Sequence, residues 1–233
     1  MFHKPIIALD FKNMDDVNAF LRPFEEPLFV KIGMELFMQN GPEIVKIIRS
    51  QGHEIFLDLK LYDIPNTVRQ AMFGLGKLDI QMVNVHAAGG KTMMSEAMKG
   101  LRDAGSKAKL IAVTQLTSTS EAVMQNEQGI PLTIDECILN YATLTRDAGL
   151  DGVVCSANES KMLRDALGDD FLKVTPGIRT LTDAVGDQVR VATPELAKEN
   201  GSTHIVVGRS ITQDSNPLEK YNQIKKVWEN HVK

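Results

Sequence analysis

The sequence predicts a single (β/α)8 barrel of the α/β class. Eight short runs rich in β-branched residues recur along the 233 residues. Amphipathic helical patterns separate them, and each strand-plus-helix unit takes about 28 residues, near the lower size limit of this fold. The strand runs cover 6–10, 28–32, 54–60, 82–86, 110–115, 152–156, 172–175 and 204–208. Several are almost continuously apolar, as parallel strands covered on both faces should be.

The helices between them carry their own start and stop signals. Asn13 stands before Met14-Asp15-Asp16 as a cap followed by first-turn acids. Gly41-Pro42-Glu43 opens a helix expected to bury Ile44, Ile47 and Ile48 on one face, and Gly52 ends it. A helix from Ser95 to Leu101 leads into Gly105. Thr133-Ile134-Asp135-Glu136 has the form of a capping box and heads a helix running to Gly149. Thr193-Pro194-Glu195 supplies a cap, a first-turn proline and an acid, with Asn200-Gly201 as the stop. The methionines, Met93, Met94 and Met98 among them, read as core filler. A doubly wound open sheet would need Gly-x-Gly-x-x-Gly after the first strand. Gly74-Leu75-Gly76 falls within or after a helix instead. No linker or low-complexity tract divides the chain, so residues 1–233 are read as one barrel.

Composition narrows the function classes. With 43% apolar and 24% charged residues the chain is an ordinary globular protein. A net charge of −4 gives no general attraction to nucleic acid or anionic membranes. Any anion site must be built locally. Cys137 and Cys155 lie far apart without metal-like spacing and are expected reduced and at least half-buried. The apolar run at Ile6-Ile7-Ala8-Leu9 is too short for a signal peptide, and nothing later approaches a membrane span. A cytoplasmic location is expected.

In this architecture chemistry is confined to the C-terminal ends of the strands. Those ends carry Asp10, Lys31, Asp58 with Lys60, His86, Thr114 with Gln115, Ser156, Thr175, and Gly208-Arg209. Solvated strand ends would explain scattered polarity, but not apolar strands that terminate in matched lysines and aspartates. Residues two apart on a strand share a face, so Asp58 and Lys60 should point one way and Leu57 and Leu59 the other. Lys31 ends the neighbouring strand, and Asp63 lies beyond, in the loop before Pro65. Together Lys31, Asp58, Lys60 and Asp63 form a formally neutral quartet, read as catalytic rather than as a salt-bridge brace. His86 is expected to be a satisfied histidine at the barrel mouth. Two further segments, Thr175-Pro176-Gly177-Ile178-Arg179 and Val207-Gly208-Arg209-Ser210, follow the seventh and eighth strands, where such barrels hold phosphate. Glycine admits backbone N–H groups to the anion, and arginine adds a bidentate fork.

The run Asp58-Leu59-Lys60-Leu61-Tyr62-Asp63-Ile64-Pro65-Asn66-Thr67 resembles the signature of the orotidine 5′-phosphate decarboxylases. Asp-x-Lys-x-x-Asp alone is shared with other phosphate-binding decarboxylases and aldolases; its extension through Ile-Pro-Asn-Thr is specific. The similarity continues at Ala8-Leu9-Asp10, Val30-Lys31-Ile32-Gly33, Val85-His86-Ala87-Ala88-Gly89-Gly90, Leu116-Thr117-Ser118 and both phosphate segments. Many relatives carry Phe-His or Leu-His at Leu61-Tyr62.

The resemblance implies decarboxylation of orotidine 5′-phosphate to UMP in pyrimidine biosynthesis, with Lys60 as proton donor. It implies that the whole run from Asp58 to Thr67 contacts substrate. Asp10 and Lys31 would serve the ribose hydroxyls and Thr117 the pyrimidine, with Pro176, Arg179, Gln188, Gly208 and Arg209 in the phosphate region. It further implies a homodimer in which Asp63, Ile64 and Thr67 enter the neighbour's site. No cofactor is expected: His3, His53, His86, His204 and His231 show no metal-ligand spacing. The alternatives are a Mg-dependent sugar-phosphate decarboxylase or aldolase of the same barrel group, and a non-catalytic nucleotide-binding barrel.

Overall fold

The computed structural model describes residues 4–180 and 191–230. Eight parallel strands form a closed ring in sequence order, with the last bonded back to the first. They are β1 Ile6–Ala8, β2 Phe29–Gly33, β3 Glu54–Leu61, β4 Met82–His86, β5 Lys109–Val113, β6 Gly152–Val154, β7 Leu172–Thr175 and β8 His204–Val207. The expected barrel is the observed one. Pairing in β1, β5, β6 and β8 stops one or two residues before the expected strand ends. Single ladder-like bonds persist beyond them, such as Leu9 N–H to the Lys31 carbonyl at 2.9 Å.

Alternation sorts the strand side chains into two cores. Ile6, Ala8, Phe29, Phe56, Met82, Ile111, Val174 and Val206 fill the barrel interior, joined by Leu172 and Val154. Every strand contributes. Their sequence neighbours Ile7, Val30, Ile55, Leu57, Val83, Leu110, Ile205 and Val207 point outward into the shell beneath the helices. Both faces are therefore apolar, which is why the runs read as continuous.

The helices expected from the sequence are α1 Met14–Leu21, α3 Glu43–Ser50, α5 Gly90–Asp103, α7 Ile134–Asp147 and α9 Pro194–Glu199. Asn13 Oδ1 caps α1 by accepting from Asp16 N–H at 2.9 Å. The Thr133–Glu136 capping box heads α7 as expected. The expectation for Ile47 fails: α3 buries Ile44, Val45 and Ile48, a stripe of the same width rotated about the helix axis, and leaves Ile47 exposed. The first turn of α5 carries no apolar period, so its start at Gly90 precedes the expected Ser95. Further helices are α2 Met34–Asn40, α4 Pro65–Leu75, α6 Glu121–Asn126, α8 Ala157–Leu167, α10 Arg209–Thr212 and α11 Pro217–Asn230. Met93 and Met94 are core residues, but Met34 and Met38 on α2 are exposed, contrary to their reading as filler. Cys137 and Cys155 are both buried and unpaired. Among the described residues, no helix is long and apolar enough to cross a membrane.

Candidate active site

The inward phase that fills the barrel floor continues to its mouth and changes chemistry on the way up. Phe29 is followed two residues later by Lys31, Phe56 by Asp58 and Lys60, Met82 by Asn84, and Ala8 by Asp10. These side chains converge. Lys60 Nζ lies 2.6 Å from Asp58 Oδ1, and Lys31 Nζ lies 3.3 Å from Asp58 Oδ2 and 3.2 Å from Asp10 Oδ1. Asn84 donates through Nδ2 to Asp58 Oδ1 at 2.7 Å. Leu57 and Leu59 point into the outer core, as the alternation predicts.

Burial works against the charge on Asp58, yet the ammonium groups of Lys31 and Lys60 outweigh it and hold the carboxyl below its ordinary pKa. Burial likewise opposes the charge on Lys31, and the Asp58 and Asp10 carboxylates more than reverse that, raising its pKa. Both groups are thus ionised at neutral pH. His86 is pushed the other way, by burial first and then by the Lys60 charge. It is neutral, with Nδ1 accepting from Ala88 N–H at 3.2 Å, the satisfied state expected of it.

These groups form part of the wall of a cavity of about 520 Å³ at the C-terminal ends of the strands. Thr117, Pro176, Arg179, Gly208 and Arg209 also line it. Gly177 in the loop after β7 has φ 79°, a left-handed conformation suited to glycine. That loop is closed at its base: Arg179 N–H donates to the Ala192 carbonyl and Ala192 N–H to the Gly177 carbonyl, at 3.0 and 3.1 Å. Gln188 falls between these anchors, outside the described residues. After β8, Gly208 leads directly into the four-residue helix α10. A methyl group added to Gly208 would lie 3.6 Å from Asp10 Oδ2. Asp10 therefore bridges the charged array and the glycine–arginine loop.

Other expected site residues lie apart. The Asp63 carboxylate accepts the backbone N–H of the next residue in the same chain, Ile64, at 2.6 Å on the exposed loop after β3, and among the described residues it joins no ion pair of the array. The quartet is accordingly a trio, Lys31, Asp58 and Lys60, with Asp10 in the fourth place within one chain. Leu61 packs against the outer core, while Tyr62, Ile64, Asn66 and Thr67 are exposed and Pro65 opens α4. None of these lines the chain's own cavity. Thr114 and Thr175, expected at the mouth, are buried in the opposite phase: Thr114 Oγ1 donates to the Val154 carbonyl and Thr175 bonds Ser202. Ser156 is buried as the cap of α8. Asn84 is not among the residues expected from the sequence, nor is Gln213 of the cavity wall; Ser118, also in that wall, enters only within the Leu116-Thr117-Ser118 segment, without a role. For Asn84 a signal existed, since it continues the inward phase from Met82.

A closed parallel ring with an ion-paired mouth defines the class: a (β/α)8 barrel of the kind that works from the C-terminal ends of its strands. The chain belongs to the orotidine 5′-phosphate decarboxylase / HUMPS family, whose model matches residues 3–224. It is 63% identical over 224 residues to the orotidine 5′-phosphate decarboxylase of Staphylococcus haemolyticus, covering 96% of this chain and 97% of that protein. The enzyme of the same name from Staphylococcus epidermidis is 61% identical over 228 residues, covering 98% and 99%. Among solved structures, the orotidine 5′-phosphate decarboxylase of Lactobacillus acidophilus superposes with a TM-score of 0.88 at 45% identity, covering 97% of this chain and 99% of that one. An uncharacterized conserved protein from Geobacillus kaustophilus gives 0.86 at 47% identity, covering 96% and 99%.

Proposed function

We propose that this chain decarboxylates orotidine 5′-phosphate to UMP and CO2, with Lys60 protonating C6. The observation that carries the reading is the Lys31–Asp58–Lys60 array on the wall of a cavity that also holds the loops of Arg179 and Arg209. A nucleotide has that polarity, phosphate at one end and reactive base at the other. Asp10, between the two, suits the ribose hydroxyls, and Thr117 suits the pyrimidine edge.

Heterolysis of the C6–carboxylate bond leaves its electron pair in the ring plane on C6, beyond reach of the π-system. A cation beside C6 is the direct remedy. At an effective dielectric of about 20 and a separation of about 4 Å, the Lys60 charge contributes roughly 4 kcal/mol gross. It then gives its proton to C6 as CO2 departs. Asp58 keeps Lys60 aimed, and its charge near the substrate carboxylate adds repulsion that is relieved when CO2 leaves. Phosphate binding supplies energy for closing the site around the ligand. The metal-assisted alternative fares worse, because both Asp58 oxygens already face ammonium groups that would repel a divalent cation.

The same reading makes the working unit a homodimer in which Asp63, Ile64 and Thr67 serve the neighbour's site. Supporting it, none of the three lines its own cavity. Large apolar side chains also stand exposed on the segments after β2, β3 and β5: Met34, Met38, Tyr62, Ile64 and Leu116. Isolated exposed apolar residues are ordinary, but this number around one mouth suits a covered face.

A spectrophotometric assay following loss of orotidine 5′-phosphate, with and without EDTA, tests the reaction. Chelator-insensitive turnover is expected. Tight UMP binding without turnover, or turnover abolished by EDTA, would replace this reading with one of its two alternatives.

A further inference from the structure

We infer that Asn84 is a positioning residue that sets both ends of the Lys60 side chain; the inference rests on the decarboxylase reading above. Strands β3 and β4 pair regularly at Phe56 with Met82 and Leu57 with Val83, and next at Leu61 with Val85. Four residues of β3 thus pass against two of β4, a bulge that falls on the segment carrying Asp58 and Lys60. Within it Lys60 takes φ 54°, a left-handed backbone that side-chain-bearing residues avoid. Its N–H leaves the ladder and donates to Asn84 Oδ1 at 2.8 Å.

The other end of the same amide holds the partner. Asn84 Nδ2 donates to Asp58 Oδ1 at 2.7 Å, and that oxygen also receives Lys60 Nζ at 2.6 Å. One side chain therefore fixes the backbone from which the lysine departs and the carboxylate on which it ends. Asn84 is fully buried, so both of its polar atoms need partners, and these two residues provide them. The reversed amide would set NH2 against N–H and oxygen against carboxylate, so the network admits one orientation. Only an amide offers an acceptor and a donor so spaced. Aspartate lacks the donor and leucine lacks both.

A buried asparagine kept merely for folding would affect stability alone, and the experiment separates the two roles. Asn84→Leu and Asn84→Asp are compared with the parent for kcat and KM with orotidine 5′-phosphate, and for UMP affinity by calorimetry. Rates are counted per UMP-binding site, so unfolded protein drops out. Because Lys60 loses its fixed position while the phosphate and ribose anchors stay, kcat is expected to fall about 100-fold with UMP affinity kept within roughly threefold. Asn84→Ser, smaller and too short to span both partners, gives the same reading should the leucine variant not fold. A kcat per site within roughly threefold of the parent would overturn the inference. Parallel losses of kcat and UMP affinity would do so too, since a general collapse of the site has that signature. An inactive parent would overturn the decarboxylase reading and this inference with it.

Discussion

At Lys60 backbone and side chain make opposing demands. The φ of 54° would suit glycine, yet the ammonium beside Asp58 requires a lysine. For a residue with a Cβ the left-handed conformation costs roughly 1–2 kcal/mol, a strain that functional sites tolerate when the surroundings fix it. Lys60→Ala and Lys60→Gly are therefore both expected to lose more than about 10³-fold in kcat, since each removes proton donor and charge. In urea denaturation the glycine variant should be the more stable of the two by about 1 kcal/mol, because only alanine retains the strained Cβ. Equal stabilities would mean that the left-handed turn is not a strained one. Asp58 and Lys60 were legible in the sequence because charges spaced by two at the end of an apolar strand share one face, and scattered solvated polarity explains them poorly. Asn84 showed only its inward phase, because asparagine within a strand carries no charge to betray a role. Its meaning comes from a bulge in the neighbouring strand β3, and a sliding pattern along one strand does not register that.

Elements were legible where local physics decides them. Capping residues at Asn13, Thr133 and Thr193 marked helix starts correctly because the cap bond is made within one turn. Strand ends, the burial of Ile47 and the start of α5 were misjudged because neighbouring elements decide those. The contact between α4 and α5 is of this second kind. A methyl group on Gly100 would sit 2.1 Å from the Arg69 carbonyl oxygen and 2.9 Å from its carbonyl carbon, so the two helices touch through backbone. Gly74, exposed in α4, has open space where its Cβ would go. The same substitution should then act in opposite directions. Gly74→Ala is expected to stabilise the protein by about 0.5–1 kcal/mol through helix propensity. Gly100→Ala is expected to destabilise it by roughly 1–3 kcal/mol, because helix backbones must separate and no flexible side chain is there to yield. Thermal unfolding of the pair checks this; shifts of the same sign would mean that α4 and α5 do not meet at Gly100.

At the scale of the whole molecule, one chain closes the barrel and assembles Asp10, Lys31, Asp58 and Lys60, but leaves Asp63 on an exposed loop. An aspartate beyond the strand is visible in sequence; which subunit it serves is not, since a chain's pattern carries no direct record of its copies. If the proposed dimer shares its sites, the two functions should separate between chains. Lys60→Ala and Asp63→Ala homodimers are each expected to be nearly inactive, the first lacking the proton donor in every site and the second lacking the aspartate supplied across the interface. Dissociated and reassociated in equal amounts, the two chains give about half heterodimers by random pairing. In each heterodimer, one site combines Lys60→Ala with the altered Asp63, and the other combines an intact Lys60 with the intact Asp63 of its partner. Activity should then recover to about a quarter of that of the unmutated protein at equal total sites. If Asp63 instead served its own chain, every site in the mixture would retain one defect and no activity would return. Recovery on mixing, measured by the same loss of orotidine 5′-phosphate, thus distinguishes a shared site from a self-contained one.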